Sequence, residues 1–188
     1  MGIVSNAALQ NGGEVTGVIP YAMHIAGGER DKISTVHGTA TASESDRAKM
    51  KTIIVDSMHE RKVEMARLSG GFIGLPGGFG TYEEVFEVTT WTQLGIHRKP
   101  VVLLNVKSFF DPLRQLICNG INEGYINPSN EALILFVDGP ASHDEHDTFN
   151  WGAAAIEAVE NWESDGVKYL FDWTKRKDGT SSASLESV

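Results

Sequence analysis

Apolar positions along the chain alternate between two spacings, and this alternation predicts strands followed by helices. Short apolar and β-branched runs predict strands at Glu14–Ile19, Thr52–Val55, Gly71–Leu75, Val101–Val106 and Leu133–Val137. Helical spacing predicts helices at Ile3–Gln10, Ser57–Leu68, Thr81–Leu94 and from Asp111 onward, with one or two more over Trp151–Trp173. Because the central strands are apolar on both faces, we expect an α/β fold in which helices sandwich a parallel sheet.

Residues typical of helix ends mark several of these boundaries. Asn11-Gly12-Gly13 predicts the end of the first helix, as a C-terminal glycine does. The segments Ser57–Glu60 and Thr81–Glu84 each carry the Ser/Thr-x-x-Glu pattern of a capping box. The stretch Tyr21–Lys51 has no sustained period, which predicts a long surface loop with room for one short helix. Ligands of parallel α/β sheets bind beyond the carboxyl ends of the strands, so we expect the chemistry in the strand-to-helix loops.

The composition describes one globular domain with a tail. Of the 188 residues, 41% are hydrophobic and 22% charged, which is ordinary for a single domain. We expect a domain over residues 1–139, a helical extension over residues 140–174 and a disordered tail over residues 175–188. The single cysteine, Cys118, cannot form an internal disulfide, which favours the reducing cytoplasm.

Charge and hydropathy exclude two classes of partner. The net charge is −9 and the one basic cluster is Lys175-Arg176-Lys177, so we expect no nucleic-acid partner. The longest apolar run, Ala132–Val137, is far shorter than the roughly 20 residues of a membrane span, so we expect no membrane helix. Any phosphate that the protein recognises should therefore belong to a small molecule.

The segment Pro76–Thr81 carries three glycines between a predicted strand and a predicted helix. Glycines let the backbone approach a ligand, and the amides of a helix N-terminus can hold a phosphate. The lysine of a P-loop and the third glycine of the dinucleotide fingerprint are both missing. The segment is therefore either a phosphate site of another type or a tight turn without a ligand.

Charged residues adjoin two of the predicted strand ends. Glu84 could cap its helix by accepting from the Thr81 amide, or act on the sugar of a nucleotide held at the helix start. Arg61 and Lys62 could clamp an anion, or form a basic pair on an exposed helix face. Because both groups follow strands of one predicted parallel sheet, we expect the two loops to face one site.

Three other features are interpreted as structural or left open. His143 and His146 lie in an acidic segment without helix or strand signals, which favours a solvated loop over a metal site. Cys118 lies within an apolar helical pattern, which is typical of a core residue. The helix Thr81–Leu94 has apolar residues on more than one face, which either a subunit interface or burial within one chain would explain.

The two loops together resemble those of a known family. Met58-His59-Glu60-Arg61-Lys62 followed by Pro76–Glu84 is similar to the paired motifs of the Lonely Guy (LOG) family. Members of this family are cytokinin riboside 5'-monophosphate phosphoribohydrolases, once described as lysine decarboxylase-like. The likeness continues through Val88–His97 and Lys99–Asn105 and covers residues 1–139.

The resemblance implies a Rossmann-like homodimer that cleaves the N-glycosidic bond of an N6-modified AMP. The products would be the free base and ribose 5-phosphate, and no metal or redox cofactor is implied. Arg61 and Glu84 would be catalytic by this resemblance. The nucleotide would be bound by Met58, Lys62, Gly77, Gly78, Gly80, Thr81, Glu83 and Thr90. Glu29 is a further match to an acidic residue of the family, in a loop whose length differs.

The resemblance also implies a difference at the N-terminus. Family members begin with a strand, a helix and a second strand that ends in a glycine-rich run, and Met1-Gly2 resembles the tail of that run. We therefore expect an N-terminally truncated nucleotide fold, less stable and less active than a version extended upstream.

Three functions are compatible with the sequence. The first is the phosphoribohydrolase, and the second is a nucleotide-binding or scaffold protein without turnover. The third is an amino-acid decarboxylase, which would need pyridoxal phosphate on a Schiff-base lysine with an acidic partner for the ring nitrogen. No segment suggests such a pair, so the decarboxylase is disfavoured.

Overall fold

The computed structural model describes residues 2–26, 50–163 and 171–181. The chain divides into two compact units, Met1–Leu68 and Ser69–Val188. The predicted domain over residues 1–139 spans both units and stays a prediction. Among the described residues, no helix has both the length and the hydropathy that a membrane span requires.

The described part of the first unit contains two parallel strands and three helices. In chain order it contains α1 (Gly2–Gln10), β1 (Val15–Pro20), α2 (Tyr21–Ile25), β2 (Met50–Val55) and α3 (Met58–Leu68). The strands pair in parallel, with Val15 opposite Met50 and Pro20 opposite Val55. Helix α3 packs against both strands and buries Ala66. Both α2 and α3 therefore begin at the edge where β1 and β2 end.

Local signals place two helix ends of the first unit close to their predicted positions. Gly12 has a φ of 85°, and its amide donates to the Leu9 carbonyl at 3.0 Å, which ends α1 as glycine commonly does. The Ser57 hydroxyl accepts from the Glu60 amide at 3.1 Å, the first half of the predicted capping box. The Glu60 carboxylate accepts from the Asp56 amide at 2.8 Å, one residue earlier than the usual box.

The second unit is a three-stranded parallel sheet with helices on both faces. It contains β3 (Phe72–Gly74), α4 (Phe79–Leu94), β4 (Val101–Asn105), α5 (Asp111–Asn122), β5 (Leu135–Asp138) and α6 (Trp151–Glu160). Short 3-10 helices lie at Val106–Ser108, Pro128–Leu133 and His143–Asp147. The strand order is β3-β4-β5, and all pairs are parallel. This confirms the predicted α/β arrangement.

Strand β4 is the centre of the core of the second unit. Val101 and Leu103 pack against residues of α4 and α5 on one face of the sheet. Val102 and Leu104 pack against α6 on the other face. Burial on both faces is the reason that this strand is an unbroken apolar run. Gly74 of β3 is required beside it, because a Cβ at this position would overlap the Leu103 side chain.

Three segments differ from the prediction or extend it. Strand β5 begins at Leu135 rather than Leu133, because the preceding residues form a 3-10 helix. A bridge between Lys175 and Ser181 closes a short hairpin, in the segment for which a disordered tail was predicted. The predicted loop over residues 21–51 contains α2, which ends at its C-cap Ala26, and the start of β2, whereas residues 27–49 lie outside the described residues.

Candidate functional site

The glycine-rich segment forms the start of α4, and this helix begins earlier than predicted. Gly78 precedes the first helical residue, Phe79. The Gly78 carbonyl accepts from the amides of Thr81 and Tyr82 at 2.9 and 3.2 Å. The predicted capping box of Thr81 and Glu84 is therefore wrong, because the Thr81 amide already has its partner within the first turn.

Three amides at this helix start have no acceptor among the described residues. They belong to Gly78, Phe79 and Gly80, and they are the orphan donors expected in the first turn of a helix. The 16 residues of α4 direct the positive end of the helix dipole to the same point. The arrangement can therefore bind a phosphate or another anion.

The three glycines differ in what a side chain would meet. A Cβ at Gly77 would overlap the Thr81 hydroxyl, so glycine is required where the loop passes the first turn of the helix. A Cβ at Gly78 or at Gly80 would meet no atom of the described residues within 4 Å. The space beside these two residues is therefore open to a ligand.

The acidic and hydroxyl residues that were predicted to line the site lie along α4. Glu84 is half-buried one turn beyond Gly80, whereas Glu83 and Thr90 are exposed. The Thr90 hydroxyl donates to the Phe86 carbonyl at 2.8 Å. Together with the glycine-rich segment, these residues occupy one loop and the first three turns of one helix.

Helix α4 has two apolar faces of different character. Val85, Val88 and Trp91 are buried within the second unit, which accounts for one face without a partner chain. Phe79 is 91% exposed and Phe86 is 43% exposed. These phenylalanines are seven residues apart and share a face, and this second apolar face is open to solvent.

The basic residues of the predicted site lie on α3 in the first unit. The Arg61 amide donates to the Ser57 carbonyl at 3.1 Å. The Arg61 side chain is half-buried and makes no ion pair with any residue that the structure describes. Lys62 is half-buried and Met58 is exposed beside it. The expectation that α3 and the glycine-rich loop face one site stays a prediction. Glu29, the further predicted site residue, lies outside the described residues.

A polar network that sequence analysis missed lies at the carboxyl ends of β4 and β5. The Asn105 amide nitrogen donates to Asp111 and to Asp138, each at 2.7 Å, and its oxygen accepts from the Phe110 amide at 2.7 Å. Arg114 donates to both carboxylate oxygens of Asp138 at 2.8 and 2.7 Å. Burial alone would raise the pKa of Asp138, but the bonds from Asn105 and Arg114 hold it below its ordinary value. The one sequence signal for this network was an asparagine, Asn105, at the end of an apolar strand.

The connection after β4 has an unusual backbone that a distant histidine supports. Lys107 and Ser108 have φ values of 52° and 59°, a region that costs a non-glycine residue about 1 kcal/mol or more. The Lys107 amide donates to Nδ1 of His146 at 2.9 Å. Nε2 of His146 therefore carries the proton and donates to the Pro140 carbonyl at 2.7 Å. His146 is buried, contrary to the predicted solvated loop, whereas His143 is exposed.

His97 is a second buried histidine, in the connection that leads into β4. Its ring lies 5.3 Å from that of Phe72 and 6.1 Å from that of Trp91, and 6% of the residue is exposed. Burial, assisted by the charge of Lys99, lowers the pKa of His97 to about 4. His97 is therefore neutral in the folded protein at neutral pH.

Comparison with known proteins points to one family. A family model described as "Possible lysine decarboxylase" matches residues 1–145. The probable cytokinin riboside 5'-monophosphate phosphoribohydrolase LOGL1 of Oryza sativa subsp. japonica is 43% identical over 144 residues, 77% of this chain and 56% of LOGL1. The probable enzyme LOGL2 of the same plant is 36% identical over 182 residues, 95% of this chain and 68% of LOGL2.

A relative from a second plant agrees with these. The cytokinin riboside 5'-monophosphate phosphoribohydrolase LOG5 of Arabidopsis thaliana is 41% identical over 140 residues, 74% of this chain and 54% of LOG5. The chain thus spans little more than half of the length of LOGL1 and LOG5. With a family match over residues 1–145 and a relative matched along two thirds of its own length, the chain belongs to the LOG family.

Proposed function

We propose that this protein is an N-glycosyl hydrolase that cleaves an N6-modified AMP, a cytokinin riboside 5'-monophosphate, into the free base and ribose 5-phosphate. The observation that carries the proposal is the start of α4, where three amides without a described acceptor precede a half-buried glutamate by one turn. The names of the relatives agree with this activity. They do not favour a binding protein without turnover or a decarboxylase.

The 5'-phosphate binds at the start of α4 in this proposal. The amides of Gly78, Phe79 and Gly80 supply the hydrogen bonds, and the helix dipole favours the negative charge. The open space beside Gly78 and Gly80 admits the phosphate oxygens. Gly77 and Thr81 support the loop by packing against each other.

Glu84 acts on the sugar. It lies four residues beyond Gly80, about 6 Å along the helix axis, which is the scale of one ribose with its phosphate. Cleavage of the bond between ribose and the base nitrogen builds positive charge on the sugar, as in glycoside hydrolysis. The Glu84 carboxylate stabilises that charge or positions the attacking water.

Arg61 supplies the complementary charge. A guanidinium without an ion pair among the described residues is available to the departing purine or to the phosphate. Met58, Lys62, Glu83, Thr90 and Glu29 complete the nucleotide site in this proposal, and no metal or redox cofactor takes part.

Base release from isopentenyl-AMP tests the proposal directly. Glu84→Gln and Arg61→Ala should each abolish the release of free base and ribose 5-phosphate while the melting temperature stays near that of the wild type. The matched controls are Glu123→Gln, directly after α5, and Arg67→Ala, in α3. Both residues are exposed, and both variants should release the base at the wild-type rate. Wild-type turnover in the Glu84→Gln or Arg61→Ala variant would disprove the catalytic role proposed for that residue. If nucleotide raised the melting temperature of the wild-type chain but no product formed, the hydrolase activity would be disproved.

The proposed state is a cytoplasmic homodimer that uses the exposed apolar face of α4. Phe86 lies on this face together with Phe79, and a single cysteine suits a reducing compartment. Phe86→Ser should shift the sedimentation coefficient to that of a monomer. Phe109→Ser removes a phenylalanine of similar exposure, 40%, from another surface and should leave the dimer intact, so an unchanged Phe86→Ser variant would contradict this interface.

A further inference from the structure

The C-terminal hairpin carries a basic and aromatic concavity that the proposed hydrolase does not use. Its volume is about 430 Å³, and it is lined by Phe171, Asp172, Trp173, Lys175, Arg176 and Lys177. The volume is in the range of small-molecule sites. This segment lies beyond the part of the chain that the family model matches.

The hairpin is held in a defined conformation by its backbone. The Arg176 amide donates to the Thr180 carbonyl and the Gly179 amide donates to the Arg176 carbonyl, each at 3.0 Å. Gly179 has a φ of 83°, which glycine adopts without strain. These two bonds join backbone groups, so replacing the side chains of Arg176 and Lys177 leaves their donors and acceptors in place.

Trp173 anchors the hairpin to the second unit. Its indole N–H donates to the Leu94 carbonyl, the last residue of α4, at 2.8 Å. The glycine-rich loop lies at the other end of the same helix, about 24 Å away along an axis of 16 residues. The concavity is therefore separate from the proposed catalytic site.

Aromatic and basic groups lie side by side in the concavity. The rings of Phe171 and Trp173 are 5.6 Å apart and tilted by 56°, and Phe171 is 55% exposed. Aromatic faces of this kind stack with nucleic-acid bases. Lys177 is exposed and pairs with no described carboxylate, so its ammonium is available to a phosphate.

The acidic groups of the hairpin offset part of its positive charge, which limits the negative charge of a ligand that it can bind. Asp172 lies 3.4 Å from Lys175, and hydrogen bonds from Thr174 hold the pKa of Asp172 below its ordinary value. Asp178 is near Arg176, and hydrogen bonds from Thr180 lower its pKa. Three cations against two carboxylates suit one small polyanion rather than a long nucleic-acid backbone, which needs many phosphate contacts.

We infer that the concavity is a second nucleotide site, which takes a nucleoside diphosphate or triphosphate. The base stacks on Phe171, and the phosphates bind Lys177 and its two basic neighbours. This inference does not rest on the proposed hydrolase activity.

Titration of the full chain with ADP tests the second site, with adenosine and pyrophosphate as separate probes of stacking and charge. The titration is made in the Gly80→Ala background to weaken binding at the start of α4. ADP should quench the tryptophan fluorescence of the chain and bind at least about tenfold more tightly than either probe, because it satisfies both halves of the site. Equal affinities for ADP and pyrophosphate would overturn the inference.

Two variants and a matched control assign the site. Arg176→Gln with Lys177→Gln should weaken ADP binding at least about tenfold, and base release from isopentenyl-AMP in the otherwise wild-type chain should not change. Phe171→Leu should weaken ADP and leave pyrophosphate unaffected. Lys51→Gln with Arg67→Gln removes two exposed cations from the first unit and should bind ADP normally. Unchanged ADP affinity in both hairpin variants would overturn the inference, whatever the hydrolase assay shows.

Discussion

Replacing Gly80 by alanine separates the stability of α4 from binding at its N-terminus. Gly80 is the second residue of the helix, and a Cβ there would meet no atom of the part of the chain that the structure describes within 4 Å. Alanine should therefore stabilise the helix by about 0.5–1 kcal/mol, since glycine loses more backbone entropy on folding. For a chain of this size the melting temperature should rise by roughly 1–4 °C.

The same methyl group should weaken catalysis. It stands beside the amides that we propose as ligands of the 5'-phosphate. The loss of one charge-assisted hydrogen bond costs about 1.5–3 kcal/mol, so kcat/KM for isopentenyl-AMP should fall about 10- to 100-fold. Thermal unfolding and base release, measured on the same preparation, give the two quantities.

Gly77→Ala is the opposite control. Its Cβ would overlap the Thr81 hydroxyl, so this variant should lose about 1–3 kcal/mol of stability and melt at a lower temperature. A raised melting temperature with unchanged kcat/KM in Gly80→Ala would refute the phosphate site. A lowered melting temperature in Gly80→Ala would refute the open space assigned beside that residue.

Three further predictions concern the second unit. Ser108→Gly should raise the free energy of unfolding by about 1 kcal/mol, measured by urea denaturation, because glycine adopts a positive φ without strain. Asn105→Ala should lower it by about 2–4 kcal/mol, because three hydrogen bonds lose their partner. Lowering the pH from 7 to 5 should cost about 1–2 kcal/mol through His97, because the unfolded imidazole takes up a proton near pH 6.5 whereas the folded one does so near pH 4.

Each of these has its own control. Ser108→Ala keeps the strained backbone and should gain nothing, so an equal gain in both variants would contradict the strain argument. Asn119→Ala, at an exposed position of α5, should cost less than about 1 kcal/mol. His97→Gln should flatten the loss of stability between pH 7 and 5, and an unchanged slope would exclude His97 as its source.

Most of the fold was predictable because its signals are local. Strand β4 is apolar at every position since both of its faces are buried. The glycine that ends α1 and the serine that accepts from the Glu60 amide act within four residues of the sequence. The family resemblance was also recognisable from local motifs, because the residues of the glycine-rich helix start are contiguous in the sequence.

The start of α4 shows where local signals fail. Thr81-x-x-Glu84 has the pattern of a capping box, yet the Gly78 carbonyl takes the Thr81 amide and the helix extends back to Phe79. Glycine has a low helix propensity, so sequence reasoning placed Gly80 outside the helix. The bonds from the Thr81 and Tyr82 amides to the Gly78 carbonyl nevertheless include Gly80 in the first turn.

The sequence by itself determined the order of elements, the two motif loops and the family, because each depends on residues close together in the chain. Tertiary structure alone decided which distant groups meet: Asn105 and Asp138 are 33 residues apart, Lys107 and His146 are 39 apart, and Leu94 and Trp173 are 79 apart. No periodicity or cap specifies which distant donor a buried acceptor will meet, since that pairing depends on how the layers pack.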